Sequence, residues 1–142
     1  MEQSEGTIAL IIESKFSFTE LVASVTDNIT QLVGFAEEDA HWVGLAVRES
    51  VINAIKHGNK EDSNKLVDVK FTFCVEEIVI HIRDYGEGFD PNTIPDPLSP
   101  TNLLNPNGRG IFYMRTFMDE VHFSIHPEGG TIVKMRKKKA VK

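Results

Sequence analysis

Two consecutive alternating runs, Leu66 to Cys74 and Ile78 to Arg83, constrain the fold more than any other stretch of this chain. In the first, Val67, Val69, Phe71 and Phe73 fall on one side of an extended strand; in the second, Ile78, Ile80 and Ile82 do, with polar or charged residues opposite. A period of two means strands with one face in a core and one in water. The short connection at Val75-Glu76-Glu77 predicts antiparallel pairing. Something apolar must then cover the buried face.

Helices supply it. Ser17 precedes a helical pattern carrying Leu21, Val22, Val25, Ile29, Leu32 and Val33, and Glu20 three residues on predicts a capping box with Ser17 as N-cap. A second helix is predicted from about Ala36 to His57, with Glu37, Glu38 and Asp39 in its first turn and Gly58 marking its end. Its core stripe reads Trp42, Leu45, Ala46, Ile52 and Ile55. Thr7 to Ile12 reads as a first strand, Ile111 to Phe117 as a short helix, and Glu120–Ile125 with Thr131–Met135 as a hairpin turning at Glu128-Gly129-Gly130. The sum is an α/β (α+β) two-layer sandwich: a mixed, mostly antiparallel sheet with helices on one face. The 142 residues fit one domain, 1–142, able to bury roughly two thirds of its unfolded surface.

Composition narrows the function. A net charge of −6 argues against a nucleic-acid binder, which needs a basic footprint. The basic residues Lys134, Arg136, Lys137, Lys138, Lys139 and Lys142 cluster at the C-terminus and read as a solvated tail from about 136. One cysteine, Cys74, excludes a disulfide framework and reads as a small half-buried thiol. No window approaches the ~18 apolar residues of a membrane span, and the acidic start, Met1-Glu2-Gln3-Ser4-Glu5, lacks a basic leader. A cytoplasmic, soluble protein is expected.

Three features carry chemistry. Glu49, Asn53 and His57 recur at four-residue spacing, so a helix would stack them along one side with Cβ neighbours roughly 6 Å apart. Asn53 offers a hard amide oxygen suited to Mg²⁺, Glu49 could deprotonate a nucleophile, and His57 reads as a partner of the helix C-terminal dipole. Lys56 either faces solvent or reaches a phosphate. Asp84-Tyr85-Gly86-Glu87-Gly88-Phe89 follows a strand, where a carboxylate can accept from an exocyclic amine and Cβ-free glycines admit a flat ring. Gly86, Gly88 and Asn92 do not supply the alternating oxygen ligands of a calcium loop. Asn107-Gly108-Arg109-Gly110 opens a helix, whose free amides suit phosphate, with Arg109 placed for a bidentate grip. Gly129-Gly130 is most simply a turn, with Thr131 of interest if the sheet floor carries a base. Between Asp90 and Asn107 five of the six prolines occur, which predicts an irregular lid at about 91–107.

In order, Glu49-x-x-x-Asn53-Ala54-x-x-His57, Asp84-x-Gly86-x-Gly88-Phe89, Gly108-Arg109-Gly110 and Gly129-Gly130-Thr131 resemble the boxes of the GHKL superfamily of Bergerat-fold ATPases, and most closely its anti-sigma factor serine/threonine kinases. The resemblance spans about Leu10 to Met135. It implies ATP and Mg²⁺ as cofactors, with Mg²⁺ on Asn53, adenine read by Asp84, and Gly86 and Gly88 shaping the base pocket. Gly108 and Gly110 would bring lid backbone to the phosphates, and Thr131 would support the base through water. Glu49 would act as base toward a serine of an anti-anti-sigma partner, whose phosphorylation frees the kinase, a homodimer, to hold its sigma factor. The second box departs from the superfamily's Gly-x-Gly-Leu-Gly, reading Gly-Arg-Gly-Ile-Phe. The competing expectations are a non-catalytic ATP-binding or partner-sequestering module, and a detached catalytic domain of a histidine kinase. A P-loop, a dinucleotide turn and the Gly-rich loop of eukaryotic-type kinases have no counterpart in the chain.

Overall fold

The computed structural model describes residues 5–87 and 109–140. Five strands, β1 (Gly6–Glu13), β2 (Leu66–Phe73), β3 (Glu77–Arg83), β4 (Glu120–Ile125) and β5 (Thr131–Lys138), form one sheet in the order β1-β2-β3-β5-β4. Every pairing in it is antiparallel. Helices α1 (Thr19–Val33), α2 (Glu37–Asn53) and α3 (Arg109–Phe117) cover one face. The two-layer architecture is the expected one, and Val67, Val69, Phe71, Phe73, Ile78, Ile80 and Ile82 are all buried as their alternation predicts.

The helix stripes needed correction. In α1 the buried residues are Thr19, Val22, Ala23, Thr26, Ile29, Thr30 and Val33, whereas Leu21 and Leu32 face water. Thr26 and Thr30 can be buried because Thr26 Oγ1 donates to Val22 O (2.9 Å) and Thr30 Oγ1 to Asp27 O (3.0 Å), satisfying both hydroxyls within the helix, whereas the buried Thr19 Oγ1 has no partner among the described residues. Small side chains on this stripe let α1 lie close to α2. The expected Ser17 cap does not form: a single 3₁₀ turn, Phe16–Phe18, precedes α1, and Phe18 is the N-cap with no side-chain bond. Glu20 is engaged elsewhere, accepting from Arg48 Nε at 2.9 Å.

In α2 the buried stripe is Val43, Gly44, Ala46, Val47, Ser50, Val51 and Asn53; of the predicted core residues Ala46 and Ile55 are buried, whereas Trp42, Leu45 and Ile52 are only half-buried. Trp42 is only half-buried because it serves the flank, stacking on Phe117 of α3 with ring centroids 3.6 Å apart. The α-helix also stops earlier than predicted. A π-helical turn, Ala54–Gly58, continues it, with Asn59 N–H donating to Ala54 O and Glu61 N–H to Ile55 O. Gly58 therefore does not end a helix through a left-handed φ; its role lies in the site.

The basic C-terminus is structure as far as Lys139, not a solvated tail. Strand β5 runs to Lys138, and Arg136 pairs with Glu77 (2.8 Å) and Glu120 (2.9 Å). Lys137 Nζ donates to Phe117 O and Lys139 Nζ to Val33 O, both at 2.9 Å. These ammonium groups satisfy the last carbonyls of α3 and α1, where a helix dipole favours cations. Cys74 is free and half-buried. The lid expected at about 91–107 lies outside the described residues.

Candidate functional site

The end of β3 approaches the α2–π junction closely enough to bury a carboxylate. Asp84 is 1% exposed. Its N–H donates to Thr131 O (3.0 Å), extending the β3–β5 ladder, while its Oδ1 accepts from Gly86 N (3.0 Å) and Thr131 N (3.1 Å). Oδ2 has no donor among the described residues. Burial raises the Asp84 pKa, and the two backbone N–H bonds and the charges of Arg83 and Lys65 oppose that rise.

Three glycines make this approach possible. A Cβ on Gly58 would stand 2.1 Å from Asp84 Oδ2, one on Gly86 would stand 1.8 Å from Gly58 O, and one on Gly130 would stand 2.0 Å from Asp84 O. Any side chain would force the carboxylate, the π turn or the β4–β5 turn apart. The Gly129-Gly130 turn, with φ of +99° and +93°, is thus both a hairpin turn and one wall of the carboxylate's cage.

Asn59, a residue to which sequence reasoning gave no role, fixes the geometry. Fully buried, it donates from Nδ2 to Ser14 Oγ (2.8 Å) and Leu66 O (3.0 Å), and its Oδ1 accepts from Tyr85 N (2.8 Å). One carboxamide thereby ties the ends of β1, β2 and β3 to the π turn. The available signal was an Asn directly after the polar helix face, which composition alone could not separate from a loop residue.

Between α2 and the sheet lies a cavity of about 10 Å³, lined by Ser50, Asn53, Ala54, Ile82, Asp84, Met114, Phe123, Thr131 and Val133. Asn53 and Asp84 therefore border the same space from opposite layers. The Asn53 carboxamide is 6% exposed and makes no hydrogen bond with a described residue. Ser50, also missed from sequence, lies 2.9 Å from Met114 Sδ and 3.3 Å from Met135 Sδ, joining α2 to α3 and β5.

Glu49 and His57 are not among the residues that line the cavity. The four-residue stacking predicted for the polar face holds from Glu49 to Asn53; beyond, the wider π turn changes the period before His57 is reached. Glu49 is half-buried, without a hydrogen bond or ion pair to a described residue, and burial raises its pKa. Burial first, then Lys56 and Lys60, lower the His57 pKa, which makes the imidazole a poor cationic partner for a helix dipole. Arg109 and Gly110 begin α3. Gly88, Asn107 and Gly108 lie outside the described residues.

A family model described as the histidine kinase-like ATPase domain matches residues 15–137. The chain belongs to this family. It is also similar to the serine-protein kinase RsbW of Staphylococcus aureus strains JH9 and Newman, 27% identical to each over 144 residues, covering 96% of this chain and 89% of the relative. Among solved structures, the RsbU and RsbW domains of Rv1364c from Mycobacterium tuberculosis superpose with a TM-score of 0.69 at 15% identity, over 96% of this chain. The chain spans about a third (33%) of that longer chain, and the likeness shows the shared fold. The GHKL resemblance carried by the sequence motifs stands, with its anti-sigma-kinase-like character.

Proposed function

We propose that this chain is an ATP- and Mg²⁺-dependent protein serine kinase of the anti-sigma type. It phosphorylates a serine on an anti-anti-sigma partner and holds a sigma factor when that partner is phosphorylated, working as a cytoplasmic homodimer. The observation that carries the reading is the pairing of two buried residues, Asp84 and Asn53, across one cavity, with Asp84 Oδ2 and the Asn53 carboxamide not hydrogen-bonded to any described residue. The similarity to RsbW over nearly the whole chain supports the serine-kinase assignment. Among the described residues no helix is long and apolar enough to cross a membrane.

The donor set fits the implied groups. Asp84 Oδ2 can accept from the adenine amine inside a cage with no room for a side chain, and Thr131, held by its backbone to Asp84, forms the adjoining floor. The Asn53 amide oxygen suits Mg²⁺, a cation that takes few protein ligands and fills its shell with phosphate and water. When bound, Mg²⁺ neutralises phosphate charge. Arg109 and Gly110 begin α3, where backbone amides suit phosphate, and the family likeness assigns Gly108 to the same role and Gly86 and Gly88 to the base. His57 takes a neutral, positioning role in this reading.

Glu49 serves as the general base. It accepts the proton of the substrate serine as the serine oxygen attacks the γ-phosphorus, and the bond to the ADP oxygen breaks; the rest is positioning and charge neutralisation. A carboxylate whose pKa is raised by burial is a better match to that task than an exposed one. Incubation with labelled ATP and candidate anti-anti-sigma proteins tests the reading: label on serine, lost in Glu49→Gln, is expected. Saturable nucleotide binding without transfer to any such protein would leave a sequestering module instead.

A further inference from the structure

The solvent face of the sheet, opposite the helices, carries a row of basic groups that the nucleotide site does not use. Strand register sets Lys70 beside His81, His81 beside Lys134, and Lys134 beside His122. With neighbouring strands about 4.8 Å apart, the row spans about 14 Å. Like charges facing each other across strands destabilise a sheet. The rows on either side balance theirs: Arg136 sits between Glu77 and Glu120, and Asp68 accepts from the Tyr85 hydroxyl while Arg83 lies 4.2 Å over the Tyr85 ring. The central row does not. Lys70 and Lys134 make no ion pair or hydrogen bond with a described residue, and Nδ1 of His81 is buried without a partner. Only His122, at the row's end, meets an acid, Glu120 at 3.5 Å.

We propose that Lys70, His81 and Lys134 form a docking surface for an acidic helix of a partner protein. Carboxylates at i, i+4 and i+8 of a helix recur every 5–6 Å, close to the strand spacing, so one helix laid across the strands meets the three groups in turn. The chain's net charge of −6 disfavours nucleic acid as the occupant. His81 adds pH dependence. Burial and then Lys134 and Lys70 push its pKa down; Val79 and Arg83 on its own strand, and Asp68, Thr72, Ile132 and Arg136 diagonally on β2 and β5, complete its surroundings. Carboxylates laid over the row reverse the lysines' effect, so docking takes up a proton and tightens as pH falls.

The test uses fluorescence anisotropy with the full chain and an alanine-based peptide of about 20 residues, long enough to hold a helix in water, bearing glutamates at i, i+4 and i+8. A glutamine counterpart and a DNA duplex of similar charge serve as controls. Saturable binding of the glutamate peptide is expected, weakened about tenfold by Lys70→Gln with Lys134→Gln, the sum of exposed ion pairs. Affinity should rise between about pH 8 and about pH 6, and His81→Asn should remove the rise. Equal binding of the glutamine peptide, an unaffected double variant, tighter binding of DNA, or a flat pH profile would overturn the proposal. Should the double variant fail to fold by circular dichroism, the glutamine peptide and His81→Asn still decide. Nucleotide affinity, measured in parallel, is expected to be the same in all these variants, so this surface and the kinase reading fail separately.

Discussion

A methyl group at Gly58 tests the carboxylate cage. In Gly58→Ala the new Cβ would stand 2.1 Å from Asp84 Oδ2 and 2.3 Å from its Cγ. Relief to ordinary contact requires the carboxylate to move by about 1 Å or more, and the Oδ1 bonds from Gly86 N and Thr131 N, at 3.0 and 3.1 Å, do not survive such a shift. Hydrogen bonds to a charged group contribute roughly 1.5–3 kcal/mol each. Losing both bounds the cost at about 6 kcal/mol, and escape of the carboxylate toward water offsets part of it, so a loss of about 2–4 kcal/mol is expected. For a domain of this size that is a Tm decrease on the order of 10 °C. Gly129→Ala is the control: its Cβ meets nothing closer than Gly86 O at 3.7 Å, leaving only the strain of φ +99°, about 1–2 kcal/mol. Urea denaturation with amide spectra reads both. A Gly58→Ala protein as stable as Gly129→Ala, or with unshifted Gly86 and Thr131 amides, would refute the cage.

Asn59→Ala removes one buried and two partly buried hydrogen bonds and leaves Tyr85 N without its acceptor; a stability loss of about 3 kcal/mol by urea denaturation is expected, and a loss under about 0.5 kcal/mol would contradict its tying role. Because burial and flanking lysines lower the pKa of His57 and His81, the unfolded chain takes up their protons first. Their contribution is complete above about pH 6.5 and is lost as pH falls from there through the folded values. Urea midpoints should therefore drop on acidification through this range, less so in His81→Asn; identical profiles would contradict the shift. Glu49→Gln is expected to keep nucleotide affinity within about twofold while phosphotransfer falls at least 100-fold, the span of a general base; parallel losses would reassign Glu49 to binding.

The sheet was legible because strict alternation at 67–73 and 78–82 leaves one way to bury its apolar face. The helices were less so. Leu21 and Leu32 looked like core by hydrophobicity, but the α1–α2 contact favours small residues and self-satisfied threonines, which hydropathy ranks low. The π turn has no sequence signature, so the α2 end, the His57 placement and the steric need for Gly58 were all hidden in an apparently regular helix. Asn53, Asp84 and Thr131, which line one cavity, could be singled out in the sequence because their chemistry and order are unusual together. Asn59 and Ser50 could not, since their partners, Ser14, Leu66, Tyr85, Met114 and Met135, are distant in sequence. The basic C-terminus read as solvated because charge alone does not reveal that Lys137 and Lys139 end on helix carbonyls.

Titration calorimetry with a non-hydrolysable ATP analogue addresses the shared cleft most directly. With Mg²⁺ the unaltered protein should bind saturably at one site per chain. Asp84→Asn keeps an acceptor for the Gly86 and Thr131 amides but turns Oδ2 into a donor, so affinity should fall about 10- to 100-fold with or without Mg²⁺. Asn53→Ala should abolish the gain that Mg²⁺ gives and leave metal-free binding intact. Absence of saturable binding in the unaltered protein, or Asp84→Asn binding as tightly as it, would contradict a nucleotide held between these two residues.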